Sequence, residues 1–184
     1  QLGELGVLSQ YNEAQTRNEF IEPMFEFLGW DMRNLRHNRE VVTEESVSSG
    51  RVDLSFQLQG MPVFFLEAKA VRVNLDEWKW AEQAINYSWN KSVSWAVLCD
   101  FEGLKIFNAE LPPKNLASNL FLEFKFDEYE SKFEDLWLLS KEAFQNQELS
   151  KRAEKWRKSD KRIEVGQKLF EDLMKWRNLL TRQI

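Results

Sequence analysis

Along residues 52–58, Val52, Leu54, Phe56 and Leu58 alternate with Asp53, Ser55 and Gln57, the two-residue period of a strand with one dry and one polar face. Gln59-Gly60-Met61-Pro62 turns the chain, and the unbroken run Val63-Phe64-Phe65-Leu66 predicts a strand buried on both faces. Upstream, residues 11–29 place Phe20, Met24, Phe27 and Leu28 at helical spacing behind the cap Asn12; Pro23 is expected to bend or split this helix before Gly29 ends it. Gly29-Trp30-Asp31 reads as a turn. The segment from Glu40 to Val47 predicts a further strand, closed by Ser48-Ser49-Gly50.

Residues 75–90 return to a helical pattern capped by Asn74. The runs Trp95–Cys99 and Leu104–Phe107 predict two strands joined at Glu102-Gly103, and Phe121–Phe126 fits an edge strand or a loop. From Glu128 strand signals stop, and Phe133, Leu136, Trp137 and Leu139 begin a helical run to the end. Residues 147–159 are dense in Lys, Arg and Glu, as in a solvated helix or linker, while Ile163, Phe170, Leu173, Leu180 and Ile184 share one face of a docking helix. These elements predict an α/β fold with a mixed central sheet flanked by helices over 1–126, and a helical extension or spacer over 127–184.

With 43% apolar residues, eight Trp and fourteen Phe among 184, the chain can fill a core, which excludes disorder. No apolar run approaches the roughly 20 residues that cross a bilayer, and the N-terminus lacks a signal-peptide layout, so a soluble, cytoplasmic protein is expected. The chain opens on Gln1 rather than Met, which points to trimming or to a part excised from a larger protein. Cys99 is the single cysteine and reads as a small buried hydrophobe; His37 is the single histidine, so neither a disulfide framework nor a zinc centre can be built. Seven scattered glycines form no phosphate loop. The net charge of −5 is unevenly spread: residues 1–140 carry 13 Lys+Arg against 23 Asp+Glu, and 141–184 carry 12 against 7. An acidic body of this kind would hold a polyanion only through local patches, the basic tail or other parts of a parent protein.

Glu67 and Lys69 stand two apart at the end of the core strand, so their side chains project to one side. A carboxylate and an ammonium beside Val63 and Phe65 are costly to bury unless something pairs with them. Asp53, on the preceding strand, supplies that partner through a shared cation, since two carboxylates and a backbone carbonyl are hard oxygen ligands of the kind Mg²⁺ takes at roughly 2.1 Å. Such a cation would polarise a phosphodiester, and Lys69 would position or deprotonate the attacking water and offset developing charge. The plain alternative is an exposed strand-end pair contributing at most about 1 kcal/mol. Trp78, Trp80 and Trp89 fit core filling better than base stacking.

Arg51-Val52-Asp53 followed by Phe64-Phe65-Leu66-Glu67-Ala68-Lys69 resembles the Asp…Glu-x-Lys signature of the PD-(D/E)XK, or restriction-endonuclease-like, nucleases, with Val52 where the superfamily's name puts a proline. Gln83-Ala84-Ile85-Asn86-Tyr87 is similar to the Gln-x-x-x-Tyr motif that some branches carry on the following helix; its spacing places Gln83 and Tyr87 on one helical face. The stretch from Asn12 to Arg17, with Phe20-Ile21-Glu22-Pro23 and Leu28-Gly29-Trp30-Asp31, resembles the N-terminal nuclease domain of type IIG restriction-modification enzymes and type I restriction R subunits. Leu136-Trp137-Leu138-Leu139-Ser140 and Lys175-Trp176-Arg177 look like the helical spacer toward a methyltransferase. The resemblance implies a Mg²⁺-dependent endonuclease, with Mn²⁺ substituting, acting on double-stranded DNA. Its catalytic set would be Asp53, Glu67, Lys69, Glu13, Gln83 and Tyr87, with the metal on Asp53, Glu67 and Glu13. Glu19 and Glu22 compete with Glu13 for that third place. Methyltransferase and target-recognition parts of the same parent protein are implied as partners, and a dimer is one route to double-strand cleavage. Two other readings stay open: a non-catalytic DNA-holding or docking module of the same fold, and a recombination-type exonuclease.

Overall fold

The computed structural model describes residues 10–35, 39–47, 50–155 and 172–174, with backbone alone at 45–47. The described chain forms two compact units, Gln1–Asn146 and Gln147–Ile184. In the first unit, helix α1 (Glu13–Thr16) leads through a π-helical stretch (Arg17–Ile21) into α2 (Glu22–Phe27). Then follow strands β1 (Val41–Val47), β2 (Gly50–Leu58) and β3 (Met61–Ala68), helix α3 (Trp78–Asn90), and strands β4 (Trp95–Cys99) and β5 (Gly103–Asn108). The short helix α4 (Leu116–Asn119), strand β6 (Leu120–Lys125), a 3-10 turn (Phe126–Glu128), and helices α5 (Phe133–Leu136) and α6 (Lys141–Gln145) complete it.

The six strands form one mixed sheet in the order β1-β2-β3-β4-β5-β6. Every neighbouring pair is antiparallel except β3 and β4, which run parallel with α3 as the crossover between them. The expected α/β fold with a mixed central sheet is the one observed, and residues 120–125 are its edge strand rather than a loop.

On one face of the sheet Phe56 and Phe64 are cross-strand partners with rings stacked at 4.2 Å, and Phe25 of α2, Trp30 and Phe144 of α6 close over them. On the other face α3 lays Ala81, Ala84 and Ile85 against Ala96, Leu98 and Phe107. Small residues on the helix let it approach the sheet closely, so polar side chains from the same helix can reach the end of β3.

Pro23 does not split the first helix. It lacks the N–H that would bond four residues back, and the π stretch immediately before it widens the turn, with the Glu22 N–H bonding to Arg17 O. Gly29, at φ +92°, ends the helix in a Schellman motif, its own N–H bonding to Glu26 O and that of Trp30 to Phe25 O. Asn74 caps a turn, accepting from the Asp76 N–H, and α3 starts at Trp78 rather than 75.

The expected boundary at 126 falls inside the first unit. Residues 133–145 pack on the sheet: the Trp30 indole donates to Leu139 O at 2.9 Å, the Lys141 N–H to Leu28 O, and the Lys141 ammonium pairs with Glu40. In the second unit residues 148–155 are helical. The expected docking face of 161–184 lies, apart from the exposed Leu173, outside the described residues, as do His37 and the Lys175-Trp176-Arg177 segment.

Candidate active site

The strand pairing brings the predicted residues together. Leu54 faces Leu66 across β2 and β3, so Asp53 and Glu67, one step further along, share the opposite face of the sheet. Asp53 reaches the last residue of β3, its Oδ2 accepting the Ala68 N–H at 2.8 Å. The backbone of Lys69 is fixed by its own N–H, which donates to Cys99 O at the end of β4.

Glu67 and Lys69 are each 5% exposed. Glu67 Oε1 accepts two bonds of 2.6 Å, from the Lys69 ammonium and from the Gln83 amide of α3. Glu67 Oε2 is buried with no partner among the described residues. Gln83 also donates to the Tyr87 hydroxyl at 3.2 Å, so the two residues lie on one helical face as their spacing predicts. Gly50 allows this arrangement: it sits at φ +147°, and a Cβ there would stand 2.8 Å from the Tyr87 hydroxyl oxygen.

Burial pushes the Glu67 carboxyl up to about 7, with the Asp53 and Glu13 charges adding to it, and the pull of Lys69 does not make up the difference. Burial alone would lower the Lys69 ammonium. Glu67, joined by Glu13 and Asp53, outweighs burial and holds it above its ordinary value. The pair therefore consists of a firmly charged lysine beside a carboxylate that ionises with difficulty.

Of the three acids on the first helix, Glu13 is the one at the site, 3.6 Å from the Lys69 ammonium and half exposed. Glu19 instead accepts from the Tyr11 hydroxyl, and Glu22 pairs with Arg17. Among the described residues no three acidic, imidazole or thiol side chains converge closely enough to hold a metal ion, so as the side chains stand Glu13 answers Lys69. The donor set nonetheless fits a hard cation. An orphaned, buried carboxylate oxygen beside a second carboxylate is what such an ion would satisfy.

Two features have no counterpart in the sequence pattern. Trp80 packs against the core cluster as expected, and in addition its ring centroid lies 4.8 Å from the Lys69 ammonium, with its Nε1 buried without a partner among the described residues. Lys105, on the same sheet row as Glu67 through Leu98, is buried and paired with Asp76 and Glu123. It ties the segment between Lys69 and α3 to β5, beside a groove of about 620 Å³ lined by residues 71–76 and the β5–β6 hairpin. Neither contact has a signal in the sequence, because both depend on register and on where α3 lands. Cys99 is the buried thiol expected, pushed up to about 12 by burial.

No helix among the described residues is long and apolar enough to cross a membrane. No family model matches the sequence. A search of curated proteins gives the type II restriction enzyme and methyltransferase RM.Eco57I of Escherichia coli, 29% identical over an alignment of 142 residues that covers 70% of this chain and 14% of that protein. Among solved structures, the type IIG restriction endonuclease BpuSI is similar with 20% identity and a TM-score of 0.47, covering 71% of this chain and 16% of that one. A fragment assigned to an HsdR subunit of a type I restriction enzyme from Vibrio vulnificus YJ016 is similar with 18% identity and a TM-score of 0.43, covering 67% of this chain and 25% of that one. The chain is thus similar in sequence to a segment of a restriction enzyme and methyltransferase, and spans about one seventh of that protein's length.

Proposed function

We propose that this chain is a Mg²⁺-dependent nuclease domain that hydrolyses phosphodiester bonds of double-stranded DNA within a restriction-modification enzyme. The observation that carries the reading is Glu67 Oε2, a buried acceptor without a donor among the described residues, set beside Asp53 and a charged Lys69. Asp53 and Glu67 would hold the cation, with Glu13 moving from Lys69 to join them. A bound divalent cation supplies Lewis acidity toward the phosphodiester and offsets charge developing on its oxygens.

The rest falls to the chain itself. Gln83, oriented by Tyr87, joins Lys69 in engaging Oε1 of the Glu67 carboxylate, which leaves Oε2 without a donor among the described residues. Lys69, paired with Glu67 at the buried end of the strand, acts as a hydrogen-bond donor and positive charge toward water and phosphate. Burial of the Glu67–Lys69 pair keeps bulk water from screening these charges. Selection of the DNA sequence and methyl transfer belong to other parts of the parent protein. The cytoplasm, where cellular DNA lies, is the matching compartment.

Calorimetric titration with Mn²⁺ tests the metal site without requiring cleavage. The native chain should give binding heat that Asp53→Ala and Glu67→Ala abolish. Heat unchanged by both substitutions, or absent from the native chain, rejects the reading in favour of a non-catalytic DNA-holding module.

A further inference from the structure

Trp80 lies in the first turn of α3, on the face that carries Gln83 and Tyr87 toward the end of β3. Its ring centroid is 4.8 Å from the Lys69 ammonium, while the exposed Lys79 lies 4.4 Å from the same centroid. The indole N–H is buried and makes no hydrogen bond among the described residues, a cost that an indole turned to present that N–H to a partner would avoid. The ring packs against the core cluster of Ala81, Ala84, Ile85 and Leu98, in a position that leaves its donor unused and sets the ring beside the ammonium. Lys69 has two carboxylates to choose between, Glu67 at 2.6 Å in the interior and Glu13 at 3.6 Å on the half-exposed side. A lysine on a flexible stem in that position would swing outward to the better-hydrated partner unless something held it.

We infer that Trp80 is a positioning residue for Lys69, its ring face holding the ammonium at the Glu67 side of the site. The inference rests on the nuclease reading for its purpose, but the contact can be tested without DNA or metal. A π face attracts a cation through its quadrupole; phenylalanine keeps a weaker face without the N–H, and leucine keeps bulk with no face.

The test is reductive methylation of the full chain with formaldehyde and cyanoborohydride, read lysine by lysine by peptide mass spectrometry. In the native protein Lys69 and Lys105 should react slowly and Lys79 rapidly, as their burial dictates. Trp80→Phe should leave Lys69 within about threefold of native, and Trp80→Leu should speed it by about tenfold while Lys105 stays slow. Lys69 remaining slow in the leucine variant overturns the inference, and so does a phenylalanine variant as reactive as the leucine one. Should Trp80→Leu unmask Lys105 as well, Trp80→Met is read by the same criteria. Failure of the nuclease reading would show in the Mn²⁺ titration alone, and failure of this inference in the Lys69 rate alone.

Discussion

Asp100 shows how burial at a single residue becomes a pH dependence. It sits just past the end of β4, nearly inaccessible, accepting the Gly103 N–H, and burial raises its carboxyl to about 7. A carboxyl raised on folding contributes stability that is fully present below its unfolded pKa and is lost as pH rises through 7. Asp100→Asn keeps the acceptor and removes the charge. Its melting temperature should therefore exceed native at pH 8, by an amount worth up to a few kcal/mol, and match native near pH 4. Calorimetric melts at the two pH values check this; an asparagine variant that is no more stable at pH 8 would show that Asp100 is not held neutral. Glu67 follows the same rule, but its titration is bound up with Lys69, so Asp100 gives the cleaner measurement.

Among the elements, the two faces of the sheet do different work. The aromatic face built from Phe25, Trp30, Phe56, Phe64 and Phe144 ties α2 and α6 to β2 and β3 and fixes the strand from which Glu67 projects. Phe64→Ala should cost about 3–5 kcal/mol of unfolding free energy, read from urea titration, whereas Met61→Ala at the exposed start of the same strand should cost less than about 0.5 kcal/mol. The opposite face carries the candidate site because α3 presents Ala81 and Ala84 inward and can lie close enough for Gln83 and Trp80 to reach β3. Lys105, through Asp76, pins the segment that leads from Lys69 into α3.

Across the molecule as a whole, the uneven charge of residues 1–140 and 141–184 bears on how the proposed DNA substrate would be held. Residues 1–140 have ten more acidic than basic side chains, so phosphate contacts made by that part must be local. Replacing Lys158, Lys161 and Arg162 with Gln should weaken duplex binding and flatten its salt dependence, by up to about 0.9 in log–log slope for each phosphate that these side chains neutralise. Fluorescence anisotropy across a salt series measures both. A slope equal to native would place the grip elsewhere.

The positions of the strands along the chain are legible in the amino-acid pattern, because 52–58 has a two-residue period and the apolar run at 63–66 is short and bounded by turn residues. So is the roster of candidate catalytic groups, since Glu67 and Lys69 share a strand face and Gln83 and Tyr87 a helix face whatever the packing around them. Short-range rules reach their limit at Pro23, where a π turn takes up the missing bond. They fail again at 127–146, whose helices join the first unit through contacts more than a hundred residues apart along the chain. Three features of the site come from packing alone: Glu13 rather than Glu19 or Glu22 meets Lys69, Glu67 keeps one oxygen without a donor among the described residues, and Trp80 lies against the lysine. Each depends on distances between separate elements, which the close fit of helices on the sheet sets and which no periodicity along the chain encodes.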